Sequence, residues 1–151
     1  MIEPAAGAPS EPRERIRQPL TEEQHEEIRR RARKAAEIAA DLKAEDIRIL
    51  DMRSLVTYTD YLVICTGRST RQTRRISEEI GFRLKKEFGL LPLGVEGDAA
   101  GEWILMDYLD FIVHVFTPET REFYRLDVMW KQAPTEVLAP GSETGAEATE
   151  G

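Results

Sequence analysis

Residues 60–72 read DYLVICTGRSTRQ. Leu62–Cys65 is an unbroken apolar run, bounded by Asp60 on one side and Thr66-Gly67 on the other. It is too short for a helix and has no polar alternation, which is the pattern of a strand buried on both faces in a layered α/β sheet. Directly after it, Ser69 and Gln72 have the spacing of a capping box. Ile76, Ile80, Leu84 and Phe88 then recur every four residues as the buried stripe of a helix that Gly89 stops. A buried strand leading through a Gly-containing turn into an amphipathic helix decides for an α/β fold.

Upstream, Thr21 with Gln24 forms another capping box, with Glu22 and Glu23 at the positive end of the helix dipole. Ile28, Ala32, Ala35, Ala39 and Leu42 share one face of this first helix. The cluster Arg29-Arg30-Arg31, Arg33, Lys34 reads as the solvated face opposite that stripe, with RNA contact as the alternative. Asp46–Met52 (DIRILDM) is a second β segment, separated from the first by polar residues 53–59. Downstream, LLPLGVEG (90–97) gives a short strand and a loop, and EWILM (102–106) and FIVHVF (111–116) flank the turn Asp107–Asp110 as a hairpin. Thr117-Pro118 opens a last helix whose apolar face would be Phe123, Leu126 and Trp130. The order α-β-β-α-β-β-β-α predicts a mixed five-stranded sheet with helices packed on it.

The 151 residues make up one domain's worth of chain, with a formal net charge of −7. Residues 1–20 carry Pro4, Pro9, Pro12 and Pro19 and no apolar period, and read as a flexible arm. Residues 134–151 carry Glu136, Glu143, Glu147 and Glu150 with no base, and read as an acidic, solvated tail. That leaves 21–133 as the folded domain. Its mildly acidic balance argues against a general nucleic-acid binder and favours a partner with a basic surface. The longest apolar runs, such as 111–116, fall far short of the ~20 residues a bilayer-spanning helix needs. With no signal-peptide pattern and a single cysteine, Cys65, the expectation is a cytoplasmic protein without a membrane anchor or a disulfide framework.

Candidate chemistry is sparse. The strand-to-helix turn could present backbone N–H groups to an anion, with Gly67, Arg68, Ser69 and Arg71 as the candidate residues. The competing reading is a turn that needs a small residue and a cap, and GxxxxGK[ST] is absent. Asp51 and Asp60 sit at the ends of neighbouring strands, without metal-ligand spacing around them. Cys65 reads as a core residue, His114 as a buried histidine bonded to a neighbour, and His25 as an uninformative residue on an exposed helical turn. No nucleophile, base and orienting group assemble, so neither catalysis nor a cofactor nor a metal is expected. The hairpin offers a different possibility. Trp103 beside Glu102, with Asp107, Tyr108, Leu109 and Asp110 in one turn, is either a docking surface for a basic protein or a core tryptophan above an ordinary Asp-rich turn.

Five motifs in register carry a family resemblance: DIRILDMR (46–53), DYLVICTGRSTRQ (60–72), PLGVEG (92–97), GEWILMDYLDFIVHVF (101–116) and REFYRLDVMW (121–130). The segment 46–130 resembles the ribosomal silencing factor (Iojap-like) family of bacteria and organelles. The resemblance implies a nucleotidyltransferase-like sheet without that class's catalytic carboxylates. It also implies a translational repressor of nutrient limitation that binds the large ribosomal subunit through large-subunit ribosomal protein fourteen and blocks joining of the small subunit. Homodimers off the ribosome are implied as well. The family's partner-binding tryptophan falls on Trp103, and the implied site extends to Ile104, Leu105, Asp107, Tyr108 and Asp110. Many relatives have His where this chain has Gln72. Contact of the Arg-rich first helix with ribosomal RNA stays open. The alternative function is a nucleotide-binding enzyme that uses the Thr66–Ser69 turn with Asp51 or Asp60.

Overall fold

In the computed structural model, which describes residues 15–139, one six-stranded sheet carries helices on both faces. Helix α1 (Glu22–Asp41) begins at the Thr21 capping box, both reciprocal hydrogen bonds of which form. Its Ile28, Ala32, Ala35 and Ala39 are buried, as the spacing predicts. The Arg-rich face opposite them is laced to Glu27, Glu37, Glu87 and Glu136 by ion pairs. Strand β1 (Glu45–Asp51) pairs antiparallel with β2 (Tyr61–Thr66), every residue of which is buried. Helix α2 (Thr70–Phe88) ends at Gly89 in the left-handed conformation at φ 66°. Strands β3 (Gly94–Glu96), β4 (Trp103–Asp107) and β5 (Phe111–Phe116) follow as an antiparallel meander. β5 returns to lie parallel to β2, the sheet's one parallel pair, and the connection between them runs through α2.

The strand order is β3-β4-β5-β2-β1-β6. Of the strands predicted, five are present, and the sixth comes from residues assigned to the acidic tail. Thr135–Leu138 (β6) pairs antiparallel with β1, from Ile47 opposite Leu138 to Leu50 opposite Thr135. The physical reason is tertiary. The outer edge of β1 would otherwise leave its backbone groups unpaired, and covering that edge with a short segment costs little. Leu138 packs on the core cluster and Glu136 pairs with Arg33. The C-terminal boundary expected at 133 therefore moves outward, while 140–151 lie outside the described residues. At the other end, residues 15–20 are placed against the domain, and 1–14 lie outside the described residues.

The last helix also differs from expectation. It breaks at Arg125 (φ 51°) into α3 (Pro118–Tyr124) and α4 (Leu126–Met129). Leu126 is buried as predicted, but Phe123, in α3 ahead of the break, is 64% exposed.

The two faces of the sheet are unequally covered. One buries a large cluster beneath α1 and α2, including Ile47, Val63, Cys65, Ile104 and Val113. The other buries Leu50, Leu62, Ile64, Trp103, Leu105, Ile112 and Phe116, with Leu126 and the partly buried Leu55, Val56, Tyr124 and Trp130 against them.

Candidate functional site: the Asp107–Asp110 turn

β4 alternates its side chains between the two faces, so Trp103 and Leu105 point one way and Ile104 and Met106 the other. All four are buried, and Trp103 is only 7% exposed. Its ring stacks on Phe116 at 5.0 Å between centroids and lies 4.5 Å from Tyr124. The indole Nε1–H donates to His114 Nδ1 at 2.9 Å, so its polar atom is satisfied inside the protein. Of the two readings of Trp103, the structure realises the core residue. It is not a surface anchor free to enter a partner's pocket. The same hydrogen bond makes His114 the neighbour-bonded buried histidine expected of it. Burial pushes its pKa down from 6.5 to about 3, so the ring is neutral and accepts from the indole.

At the end of β4 the chain reverses through Tyr108, Leu109 and Asp110. Tyr108 N–H donates to Phe111 O at 3.0 Å and Asp110 N–H to Tyr108 O at 2.8 Å. Leu109 takes a positive φ of 73°, and its N–H is capped by Asp107 Oδ1 at 2.9 Å. Tyr108 is buried and stacked on Phe111 at 4.9 Å, and burial pushes its phenol up to about 12. Of the six residues the resemblance selects, Trp103, Ile104, Leu105 and Tyr108 therefore shape the hairpin from within. Asp107 and Asp110 alone present polar groups at its rim.

Those two carboxylates are occupied by residues that sequence reading passed over. Arg15 makes a two-pronged contact with Asp107, Nη1 to Oδ2 at 2.6 Å and Nη2 to Oδ1 at 2.9 Å. It donates further to Leu109 O at 2.8 Å and Tyr58 O at 3.1 Å. Arg17 donates to Asp110 Oδ1 at 2.7 Å, Asp60 Oδ1 at 2.5 Å and Thr57 O at 3.2 Å. Burial works against the Arg17 charge, but its bonds to Asp60 and Asp110 outweigh that and raise its pKa. The other oxygen of Asp60 meets His25 Nδ1 at 2.6 Å, so His25 is part of this cluster and not a bare exposed residue. Asp60 itself is buried, and its N–H donates to Asp110 O at 2.9 Å, tying the start of β2 to the hairpin. No periodicity marks this cluster. The available signal was Arg-Ile-Arg: side chains two apart can share a side, and Ile16 between them is 90% exposed.

The Thr66–Ser69 turn contrasts with this. Gly67 N–H donates to Phe116 O at 2.8 Å, Arg68 N–H to Gln72 Oε1 at 2.7 Å, and Gln72 N–H to the Ser69 hydroxyl at 3.2 Å. Gln72 thus caps from one residue further back than a capping box requires, and its Nε2 reaches Leu42 O at 3.1 Å. Three of the donors an anion would use are spent internally, while the Arg68 and Arg71 side chains are exposed. Asp51 is held by Arg53, whose hydrogen bonds lower its pKa, and it is not drawn to Asp60 as a metal-binding pair. Among the described residues no group of three His, Cys, Asp or Glu is placed to hold a metal ion. Cys65 is buried, and burial pushes its thiol up to about 12. Among the described residues, no helix is long and apolar enough to cross a membrane.

The fold and this geometry define a class: a single mixed α/β sheet displaying an acid-rimmed hairpin. The family model described as "Ribosomal silencing factor during starvation" matches residues 25–150, and the chain belongs to that family. It is 35% identical over 104 residues to the ribosomal silencing factor of Chromobacterium violaceum, covering 69% of this chain and 84% of that protein. It is 38% identical over 100 residues to the ribosomal silencing factor of Bacillus subtilis, covering 66% and 84%. The chloroplastic Iojap protein of Zea mays is 35% identical over 98 residues, covering 65% of this chain and 42% of that longer protein. A crystal structure of a Chromobacterium violaceum protein superposes with a TM-score of 0.63 at 31% identity, over 78% of this chain and 95% of that one. One from Bacillus halodurans gives 0.60 at 32%, over 75% and 99%. The name this family carries is that of a silencing factor, not of an enzyme.

Proposed function

We propose that this protein represses translation in the cytoplasm by binding the large ribosomal subunit through large-subunit ribosomal protein fourteen, so that the small subunit cannot join. Family membership supplies the silencing role. The observation that supports the surface is the hairpin rim, where Asp107 and Asp110 are held at fixed positions by a turn with every described backbone donor engaged. A rigid pair of carboxylates suits a basic ribosomal protein, since charge complementarity raises the rate of encounter and fixes register. Trp103, Ile104, Leu105 and Tyr108 serve the same surface from beneath, by fixing where the rim stands. Off the ribosome, pairing with a second copy belongs to the same reading. The exposed apolar Phe82, Leu91, Leu93 and Val95, on α2 and around β3, offer surface for it.

The test is sedimentation of purified large subunits with the protein, followed by addition of small subunits. The protein is expected to travel with the large subunit and to lower the yield of joined ribosomes. Asp110→Lys, a charge reversal at a rim residue 32% exposed in its side chain, is expected to weaken that binding at least tenfold. Undiminished subunit joining at saturating protein would defeat the proposal.

A further inference from the structure

We propose that the Asp107–Asp110 turn is a receptor for an Arg-x-Arg segment, and that Arg15-Ile16-Arg17 is its occupant in cis, which a basic partner must displace. This deepens the reading of the turn as the docking surface and rests on it only for the partner's identity.

Two sockets lie side by side. The first combines both oxygens of Asp107 with the carbonyls of Leu109 and Tyr58, and Arg15 fills it with four hydrogen bonds. The second combines Asp110 Oδ1, Asp60 Oδ1 and the carbonyl of Thr57, and Arg17 fills it with three. Every acceptor faces a planar guanidinium, whose fixed fork of donors satisfies carboxylate and carbonyl oxygens together. A lysine ammonium could not match that two-pronged geometry. The sockets are not sealed. Side-chain exposure is 21% for Arg15 and 32% for Asp110, so the rim of each socket meets solvent, while Asp60 at 1% forms the buried floor of the second. The receptor residues Asp60, Asp107 and Asp110 fall inside the family match at 25–150, whereas the occupant precedes it.

Tethering gives the occupant its advantage. Gln18, Pro19 and Leu20 alone separate Arg17 from the N-cap Thr21, and Leu20 packs on the core. So short a link holds the arginines at an effective concentration on the order of millimolar or above. A partner with similar chemistry must compete against that concentration, and removing the tethered arginines should strengthen its binding.

The test uses the full chain, Arg15→Ala, and the double variant Arg15→Ala/Arg17→Ala, each checked by thermal melt. The probe is a labelled peptide of the sequence Arg15–Leu20, capped at both ends and followed by fluorescence anisotropy. The double variant is expected to take up the peptide at least tenfold more tightly than the unmodified chain, and adding Asp110→Asn to it should remove most of that gain. Because Arg17 faces buried Asp60, the double variant risks unfolding; Arg15→Ala, which keeps the Asp60 pairs, then carries the test with a smaller gain. Equal peptide affinity in the unmodified chain and the folded variants, or no binding by any, overturns the proposal. The same proteins are sedimented with large subunits, where tighter binding by the variants is expected. A gain for the peptide with none for the subunit upholds the receptor and its occupant, and removes the turn from the ribosome-binding account.

Discussion

Two turns in this chain carry side chains suited to binding, and they use their hydrogen-bonding groups in opposite ways. At Thr66–Ser69 the backbone donors are consumed by partners that the fold itself needs: a carbonyl of β5, the Gln72 amide and the Ser69 hydroxyl. At Asp107–Asp110 the backbone is equally satisfied, but the carboxylates are left over, and they are met by arginines from outside the sheet. The difference lies in what remains after the backbone is satisfied. A strand-to-helix turn that bonds Gly67, Arg68 and Gln72 N–H internally has fewer donors left for an anion, whereas a hairpin that spends acids only partly on its own turn keeps a charged rim.

Substitutions can separate the two. The largest effect is expected at Trp103→Ala, which empties space against Phe116 and Tyr124 and leaves His114 Nδ1 without its donor. Loss of so large a buried aromatic typically costs about 3–5 kcal/mol. Chemical denaturation is expected to show that loss, and weakened ribosome binding by this variant then reports a displaced hairpin, not a missing contact. Gly67→Ala comes next. A Cβ there would sit 2.9 Å from Thr73 Cγ2 and 3.0 Å from Thr73 N, so the turn or Thr73 must shift. Overpacking of this kind costs about 1–3 kcal/mol. Its thermal midpoint should fall while the affinity for a basic partner at the other turn stays unchanged.

His114 beneath the hairpin gives the third effect, and it depends on pH. Burial holds its folded pKa at about 3, below the ordinary 6.5, so unfolding takes up a proton that the native ring refuses. The contribution is fully present above about 6.5 and is lost as pH falls toward 3. His114→Asn, whose Oδ1 can still accept from the Trp103 indole, should show a shallower loss of stability between pH 6 and 4. An unchanged slope would mean that the histidine is already charged in the native protein.

Most of the framework was legible because it follows from periodicity. The helix limits at Thr21 and Gly89, the fully buried β2 and the β4–β5 hairpin all rest on local spacing that the core then uses. What escaped is what local spacing does not encode. β6 has one valine and one leucine in an acidic stretch, and it is a strand because β1 has an edge to cover. The break at Arg125, which puts Phe123 on a different helix from Leu126, has no mark in helical spacing. The site was half legible. The motif places the hairpin correctly, but burial of Trp103 follows from His114 and Phe116 on the paired strand, eleven and thirteen residues on. The Arg15 and Arg17 sockets depend on contacts across more than forty residues of chain.

The smallest expected effect is at Arg68→Ala/Arg71→Ala, and it bears most directly on the contrast between the turns. Both side chains are exposed, and no described hydrogen bond or ion pair uses them, since the one Arg68 contact is through its backbone. If Thr66–Ser69 is only a cap and a crossing point, the double variant should unfold at the temperature of the unmodified chain and sediment with large subunits as before. Isothermal titration with a nucleoside triphosphate should release no heat from either protein. Saturable heat from the unmodified chain that disappears in the variant would show that these side chains bind anions. The turn would then be a second charged site, opposite in sign to the hairpin, and the division between a turn that builds the fold and a turn that faces a partner would have to be redrawn.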